Sequence, residues 1–223
     1  MLTYLSILLL SLQAIHITAK YNPLTPTNTA VLLIEMQSGL LTGVADQTQA
    51  EFRNSLSGVI GLIQAFSLPT VITTINEPIN GPLLPELAAA FPNAPVIRRQ
   101  GEINAWDNDE VVKAIKNTKR EKLLVAGIST DGCVALASIA AKDAGYDVYA
   151  LIDASGTWSK LIQQLAIQRM LANGVMPVNW FAVAGELQKD WRNPTAGALF
   201  GVVAKHLPFY GNLVDLYYAK SNQ

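Results

Sequence analysis

The stretch KLLVAGISTDGCVALASIAAKDAG, residues 122–145, decides the fold. Lys122–Ile128 is an apolar run of strand length, and it carries no alternation of polar and apolar residues. Asp131–Gly145 has helical spacing of its small and apolar residues, with Gly145 just past the end as a stop. Tyr146–Asp153 (YDVYALID) is apolar and strand-like again. A strand, a tight turn, a helix and a second buried strand make a parallel crossover unit. The turn also holds Cys133, the only cysteine of the chain.

The same alternation continues on both sides. Toward the N-terminus, Thr29–Met36 (TAVLLIEM) reads as a buried strand and Gln47–Phe66 as a helix. Leu68–Ile75 follows as a strand, Leu84–Phe91 as a short helix opened by Pro85, APVIRR as the end of a third strand, and Asp107–Thr118 as a helix with an acidic first turn. Toward the C-terminus, Trp158–Ala172 reads as a helix, Val175–Ala182 as a strand leading into a helix at ELQKDW, and Thr195–Leu213 as a helix with an ordered tail. Strands that are apolar throughout belong to a parallel sheet covered on both faces. The expected fold is therefore α/β and three-layered, a mostly parallel sheet of about six strands with helices on both faces. It forms one domain over residues 20–223.

Composition narrows the function classes. The chain has 223 residues, 50% of them hydrophobic and 15% charged, with a formal net charge of −1. That profile belongs to a core-rich globular domain. It carries no basic cluster of the kind that binds phosphate backbones, so nucleic acid is not expected as a partner. Residues 1–19 (MLTYLSILLLSLQAIHITA) contain no charged side chain, and their apolar run of signal-peptide length ends at a small residue, Ala19. They read as a secretion leader, although the usual basic start is missing; a retained anchor or an upstream-extended start are the alternatives. No stable membrane span is expected once the leader is gone. One cysteine cannot form an internal disulfide, and Asn193 is followed by Pro194, so that Asn-x-Thr is no glycosylation site.

In an open parallel sheet, ligands bind outside the carboxyl ends of the strands. Three such ends carry chemistry here. Glu35 closes the first strand, and an acid there is costly to desolvate unless it has a partner or a task. Arg98 and Arg99 close the third; alone, they read as a solvated pair. Cys133 follows the fourth, and a helix N-terminus there would lower its pKa and offer N–H groups to an oxyanion. Gly132 lets a carbonyl approach the backbone. A lone cysteine is equally a small buried hydrophobe, and residue chemistry alone leaves both readings open. Only His16 and His206 are present, so no Cys/His metal cluster can be assembled, and no glycine-rich phosphate loop occurs. No metal or cofactor is expected.

Taken together, LLIEMQSGLL, VIRRQGEINAWDN and AGISTDGCVALA resemble the motifs of the isochorismatase-like cysteine hydrolases. NGPLLPEL, INAWDN, DASGTW and GELQKDWRN resemble those of the YcaC-like branch, and the likeness covers about residues 22–213. The resemblance implies a small-molecule substrate with an amide or related C–N bond. It makes Cys133 the nucleophile, Glu35 the general acid/base and Arg99 the cation beside them. The amides of Gly132 and Cys133 would form the oxyanion hole, after a turn at Ile128–Ser129 whose peptide bond is cis in the family. Asn104 and Trp106 would line the pocket. The chain departs from the family pattern in having Glu35 where aspartate is usual and Asp131 where glutamate is usual. A catalytically weakened homologue that binds a small molecule or partner, and vinyl-ether cleavage of isochorismate, are the alternatives. The resemblance also implies a homo-oligomer. The tail Phe209–Tyr218 is either an interface or a helix packed on the sheet.

Overall fold

The structure is a computed structural model that describes residues 22–221. The leader expected at residues 1–19 lies outside these residues. Six strands form one sheet: β1 (Thr29–Ile34), β2 (Thr70–Ile75), β3 (Val96–Arg99), β4 (Lys122–Gly127), β5 (Asp147–Leu151) and β6 (Met176–Val178). Their order is β3-β2-β1-β4-β5-β6, and every neighbouring pair is parallel. The fold is the expected three-layer α/β arrangement. Its strand order runs outward in both directions from β1 and β4, so the adjacent ends of these two strands form the switch-point crevice.

Alternate residues of each strand point to opposite layers. Val31 and Leu33 of β1, with Leu124 and Ala126 of β4, join a core with α2 (Gln49–Phe66), α8 (Trp180–Gln188) and α9 (Ala196–His206). Ala30, Leu32 and Ile34, with Leu123 and Val125, join a second core with α5 (Asp109–Asn117), α6 (Ala135–Asp143) and α7 (Lys160–Ala172). Both faces of β1 and β4 are fully buried, which is why neither strand shows polar alternation. Short helices α1 (Ser38–Leu41), α3 (Glu77–Asn80) and α4 (Pro85–Ala90) fill the loops after β1 and β2. No helix among the described residues is long and apolar enough to cross a membrane.

Helix starts follow side-chain caps. Thr48 and Glu51 form a reciprocal capping box at α2, and Asn108 Oδ1 accepts from the amides of Glu110 and Val111 at α5. Capping also explains a departure from the sequence reading at Val175–Ala182. Asn179 Oδ1 accepts from the Ala182 amide at 2.8 Å, which draws Trp180–Ala182 into α8 and leaves β6 only three residues long. A second departure is the C-terminal segment, which is two helices, α9 and α10 (Pro208–Ser221), rather than one helix and a tail. Pro208 opens α10, where its missing N–H does no harm. The third departure is local and bears on the site. Residues Thr130–Val134 form a π-helical turn, with α6 starting only at Ala135, so Cys133 does not sit in the first turn of an ordinary α-helix.

Candidate active site

Glu35 leaves the end of β1 with φ +51, in the left-handed region that a non-glycine residue occupies at a cost of about 1–3 kcal/mol. Its amide still donates to Thr73 O of β2, and its carbonyl accepts from the Gln37 amide at 2.7 Å, so the chain reverses sharply. Gln37 fixes this corner. Its Nε2 donates to the carbonyls of Ile75 and Gly81, and its Oε1 accepts from the Ile75 amide at 2.9 Å. Gln37 is fully buried, and these bonds tie the ends of β1 and β2 to the loop beyond.

β3 delivers Arg98 and Arg99 to opposite faces. Arg98 is exposed and pairs with Glu77 at 3.2 Å. Arg99 is buried, which corrects the reading of the two arginines as a solvated pair. Its Nη2 donates to Glu35 Oε1 and its Nη1 to the carbonyl oxygen of Glu102. The Glu102 carboxylate in turn accepts from the amides of Gln100 and Gly101 and from Asn108 Nδ2, which fastens the loop that presents that carbonyl.

Cys133 arrives from β4. Gly127, the last residue of β4, can carry no side chain, since a Cβ there would lie 2.0 Å from Ile34 O of β1. The Ile128–Ser129 peptide bond is cis. Segment 155–157 clasps the turn that follows. The Gly156 amide donates to Gly127 O, the Thr130 amide donates to Gly156 O at 3.0 Å, and Thr157 Oγ1 donates to Asp131 Oδ1 at 2.6 Å. The result places the Cys133 thiol 3.2 Å from Glu35 Oε2, where it donates a hydrogen bond. One carboxylate thus faces the guanidinium with one oxygen and the thiol with the other, across residues far apart in sequence.

The electrostatics differ from the sequence expectation. Burial raises the Glu35 carboxyl above its ordinary value, and the charge of Arg99 with the bonds from Cys133 and Arg99 opposes this without overcoming it. The Cys133 thiol is pushed up to about 12, first by burial, then by the charge of Glu35 and the hydrogen bond to it. A backbone hydrogen bond from Ser129 and the charge of Arg99 act the other way. The expected helix-terminus lowering is outweighed because the sulfur is largely buried beside an anion. At rest the sulfur keeps its proton and donates a hydrogen bond to Glu35.

The remaining candidates divide. At Gly132 a Cβ would come within 3.0 Å of Ser129 Oγ, a tight contact that its absence avoids. The Gly132 amide donates to that same Ser129 Oγ at 3.3 Å, a long bond. In the π-helical register the Ser129 carbonyl receives the Val134 amide. Ile128 enters the site by backbone only; its side chain lies in the core with Leu33 and Leu124. Asn104 caps the short 3-10 turn Ala105–Asp107 by accepting from the Trp106 amide, and its Nδ2 donates to Asp107. Trp106 packs edge-on against Tyr146, with ring centroids 5.5 Å apart. Both therefore hold the loop that follows Arg99. Sequence reasoning assigned no role to Gln37, Glu102 or Thr157, whose contributions run through backbone carbonyls and a single hydroxyl. Among the described residues no group of three or more His, Cys, Asp or Glu is placed to hold a metal ion.

Comparison with known proteins agrees with this fold. The sequence model of a family described as the isochorismatase domain matches residues 29–180. The probable hydrolase YcaC of Escherichia coli is 42% identical over 201 residues, 90% of this chain and 96% of its own. Its crystal structure, described as an octameric hydrolase of unknown specificity, superposes with a TM-score of 0.88 over 91% of this chain and 99% of that one. YcaC of Pseudomonas aeruginosa, determined with hexane-2,5-diol and covalent acrylamide, is also 42% identical, with a TM-score of 0.86 over 88% and 98% of the two chains. The secreted isochorismatase effector Isc1 of Phytophthora sojae is 20% identical over 193 residues, 85% of this chain and 91% of its own.

Proposed function

The chain belongs to the isochorismatase family, on its YcaC-like branch, and from that premise we propose a metal-independent cysteine hydrolase of small amides or related C–N bonds. The observation that carries this reading is the Cys133–Glu35–Arg99 array, with the thiol donating to one carboxylate oxygen and the guanidinium to the other. A nucleophile in contact with its own base, and the base oriented by a third group, is the arrangement that covalent catalysis requires.

The steps balance within these residues. As a substrate carbonyl enters, Glu35 takes the Cys133 proton and the sulfur attacks the carbonyl carbon. The oxygen of the tetrahedral intermediate lies toward the amides of Gly132 and Cys133, with the long Ser129–Gly132 bond yielding to it. When the C–N bond breaks, Glu35 returns its proton to the departing amine, leaving a thioester. A water then gives one proton to Glu35 and its hydroxyl to the thioester carbon; the acid leaves, and the thiol is reprotonated. Burial suits Glu35 to the base role, because a carboxylate whose proton affinity is raised takes the thiol proton more readily than an exposed one does. Arg99 holds the carboxylate and carries no proton in the cycle.

The test is release of ammonia or amine from a panel of small amides, with quenched intact-mass measurement for the acyl-enzyme. Turnover with an acyl adduct on Cys133, both absent in Cys133→Ala, is the expected result. Amide turnover that survives in Cys133→Ala would overturn it, and isochorismate cleavage surviving there would favour the vinyl-ether reaction. Acrylamide is the natural first probe, since the Pseudomonas aeruginosa relative was seen with it bound covalently. A second reading, binding without turnover, is favoured by the high resting pKa of the thiol; ligand binding with no turnover in either the native chain or Glu35→Asp would select it.

The chain is read as a homo-oligomer on the octamer of its Escherichia coli relative, and sedimentation of the full chain tests this. It is read as exported on its uncharged leader; a mature N-terminus just after Ala19 in secreted material is the corresponding check.

A further inference from the structure

α7 is apolar on both of its sides. Ala166 and Met170 face inward and are buried in the core they share with β1 and β4. On the opposite side Leu161, Leu165, Gln168 and Ala172 form one row at i, i+4, i+7 and i+11, and all four are exposed. Leu161 keeps 65% of its surface and Leu165 57%. The row holds no ionisable side chain, and half-exposed Trp158 lies just before the helix begins, with its indole against Gly43. A helix on the surface of an isolated globular chain carries polar residues on its outer side. A row of this spacing, with a short Ala and an uncharged Gln at one end, is the pattern of a helix–helix seam.

We propose that the outer face of α7, with Trp158, is the seat of a second copy of this chain. The proposal rests on the homo-oligomer reading above and adds where the copies meet. A second copy is the occupant because a relative 42% identical and structurally matched over 99% of its own length is an octamer. A second exposed apolar row among the described residues, Phe209, Leu213 and Leu216 on α10, is shorter and has exposed Asn212 and the ionisable Asp215 beside it. The α7 row also lies next to the chemistry. Trp158 directly follows Thr157, whose hydroxyl holds Asp131 of the nucleophile turn. A copy docked on Trp158 therefore abuts the segment that clasps that turn.

The test is sedimentation velocity on the full chain and on L161D/L165D, together with a photo-crosslinking amino acid placed at position 165 or, as a control, at 209. The native chain is expected to sediment as an assembly. L161D/L165D is expected to lose at least half of that mass with its far-UV circular dichroism unchanged, and position 165, but not 209, to cross-link to a second copy. An assembled native chain whose mass survives L161D/L165D, or which cross-links from 209 and not from 165, overturns the assignment of this face alone. A cross-link from 165 into residues 1–21 of the same chain, mapped by mass spectrometry, overturns it in favour of an internal cover. A monomeric native chain overturns the homo-oligomer reading itself, while leaving the amide-hydrolysis test untouched. If L161D/L165D fails to fold, the cross-link alone decides.

Discussion

Cys133 and Glu35 compete for one negative charge beside one guanidinium. The proton stays on sulfur, because burial first, then the charge of Glu35 and the hydrogen bond to it, raise the thiol. The sign of a Glu35→Gln change follows. Removing that charge lowers the thiol pKa, and Arg99, freed of its partner, attracts the thiolate instead. Iodoacetamide at pH 8 should then alkylate Cys133 about tenfold faster or more, one pKa unit being worth a factor of ten in thiolate. In the same variant amide turnover should fall by about a hundredfold or more. In the native chain the alkylation rate should keep climbing past the pH at which free cysteine levels off. A native profile that flattens near pH 8.5 would contradict the picture of a protonated resting thiol. Asp153, outside this array, gives a second residue-scale prediction. Burial raises it to about 6, while the Trp180 amide donates to it. Its folded pKa is thus above its unfolded one, so its contribution to stability is complete at low pH and is lost as pH rises through about 6. Asp153→Asn should raise the melting temperature at pH 8 and leave it nearly unchanged at pH 4, as differential scanning calorimetry would show. Glu35 and Cys133 were legible in the sequence as chemistry-bearing residues at strand ends. The resting state of the thiol was not, because it depends on burial and on a contact between residues 35 and 133.

At the scale of elements, the site depends on how β1 and β4 end side by side. The Gly127 Cβ position lies so close to Ile34 O that Gly127→Ala must part the two strands. A loss of about 3 kcal/mol or more is expected in urea unfolding, the upper range for overpacking between elements that cannot yield. Gln37→Ala leaves the partly buried Ile75 amide without its side-chain acceptor, for about 1 kcal/mol. It also frees the corner that holds Glu35, so a drop in turnover larger than the drop in folded fraction is expected. Equal losses would reduce Gln37 to a purely structural residue. Most elements were readable from apolar runs, caps and glycine stops, including the β4–turn–α6 unit that carries Cys133. The π-helical turn was not, since TDGCV differs little in local preference from the first turn of an ordinary helix. What selects it is the clasp by residues 155–157, more than twenty positions away. The short β6 could have been anticipated, because Asn179 is a strong capping residue followed by helical spacing.

For the whole molecule, the fold was legible because the central strands β1 and β4 lack alternation and every connection is long enough to hold a crossover helix. Nothing in that pattern reports which helical faces stay uncovered, because the exposure of Leu161 and Leu165 depends on how α7 is seated on the sheet. The outermost strands carry a consequence of their own. β3 has four residues and β6 three, and Pro177 in the middle of β6 has no N–H to offer. The sheet margins are thus poor templates for a foreign strand, and lengthening the sheet from molecule to molecule is blocked at both ends. Growth into fibrils by that route is disfavoured by construction.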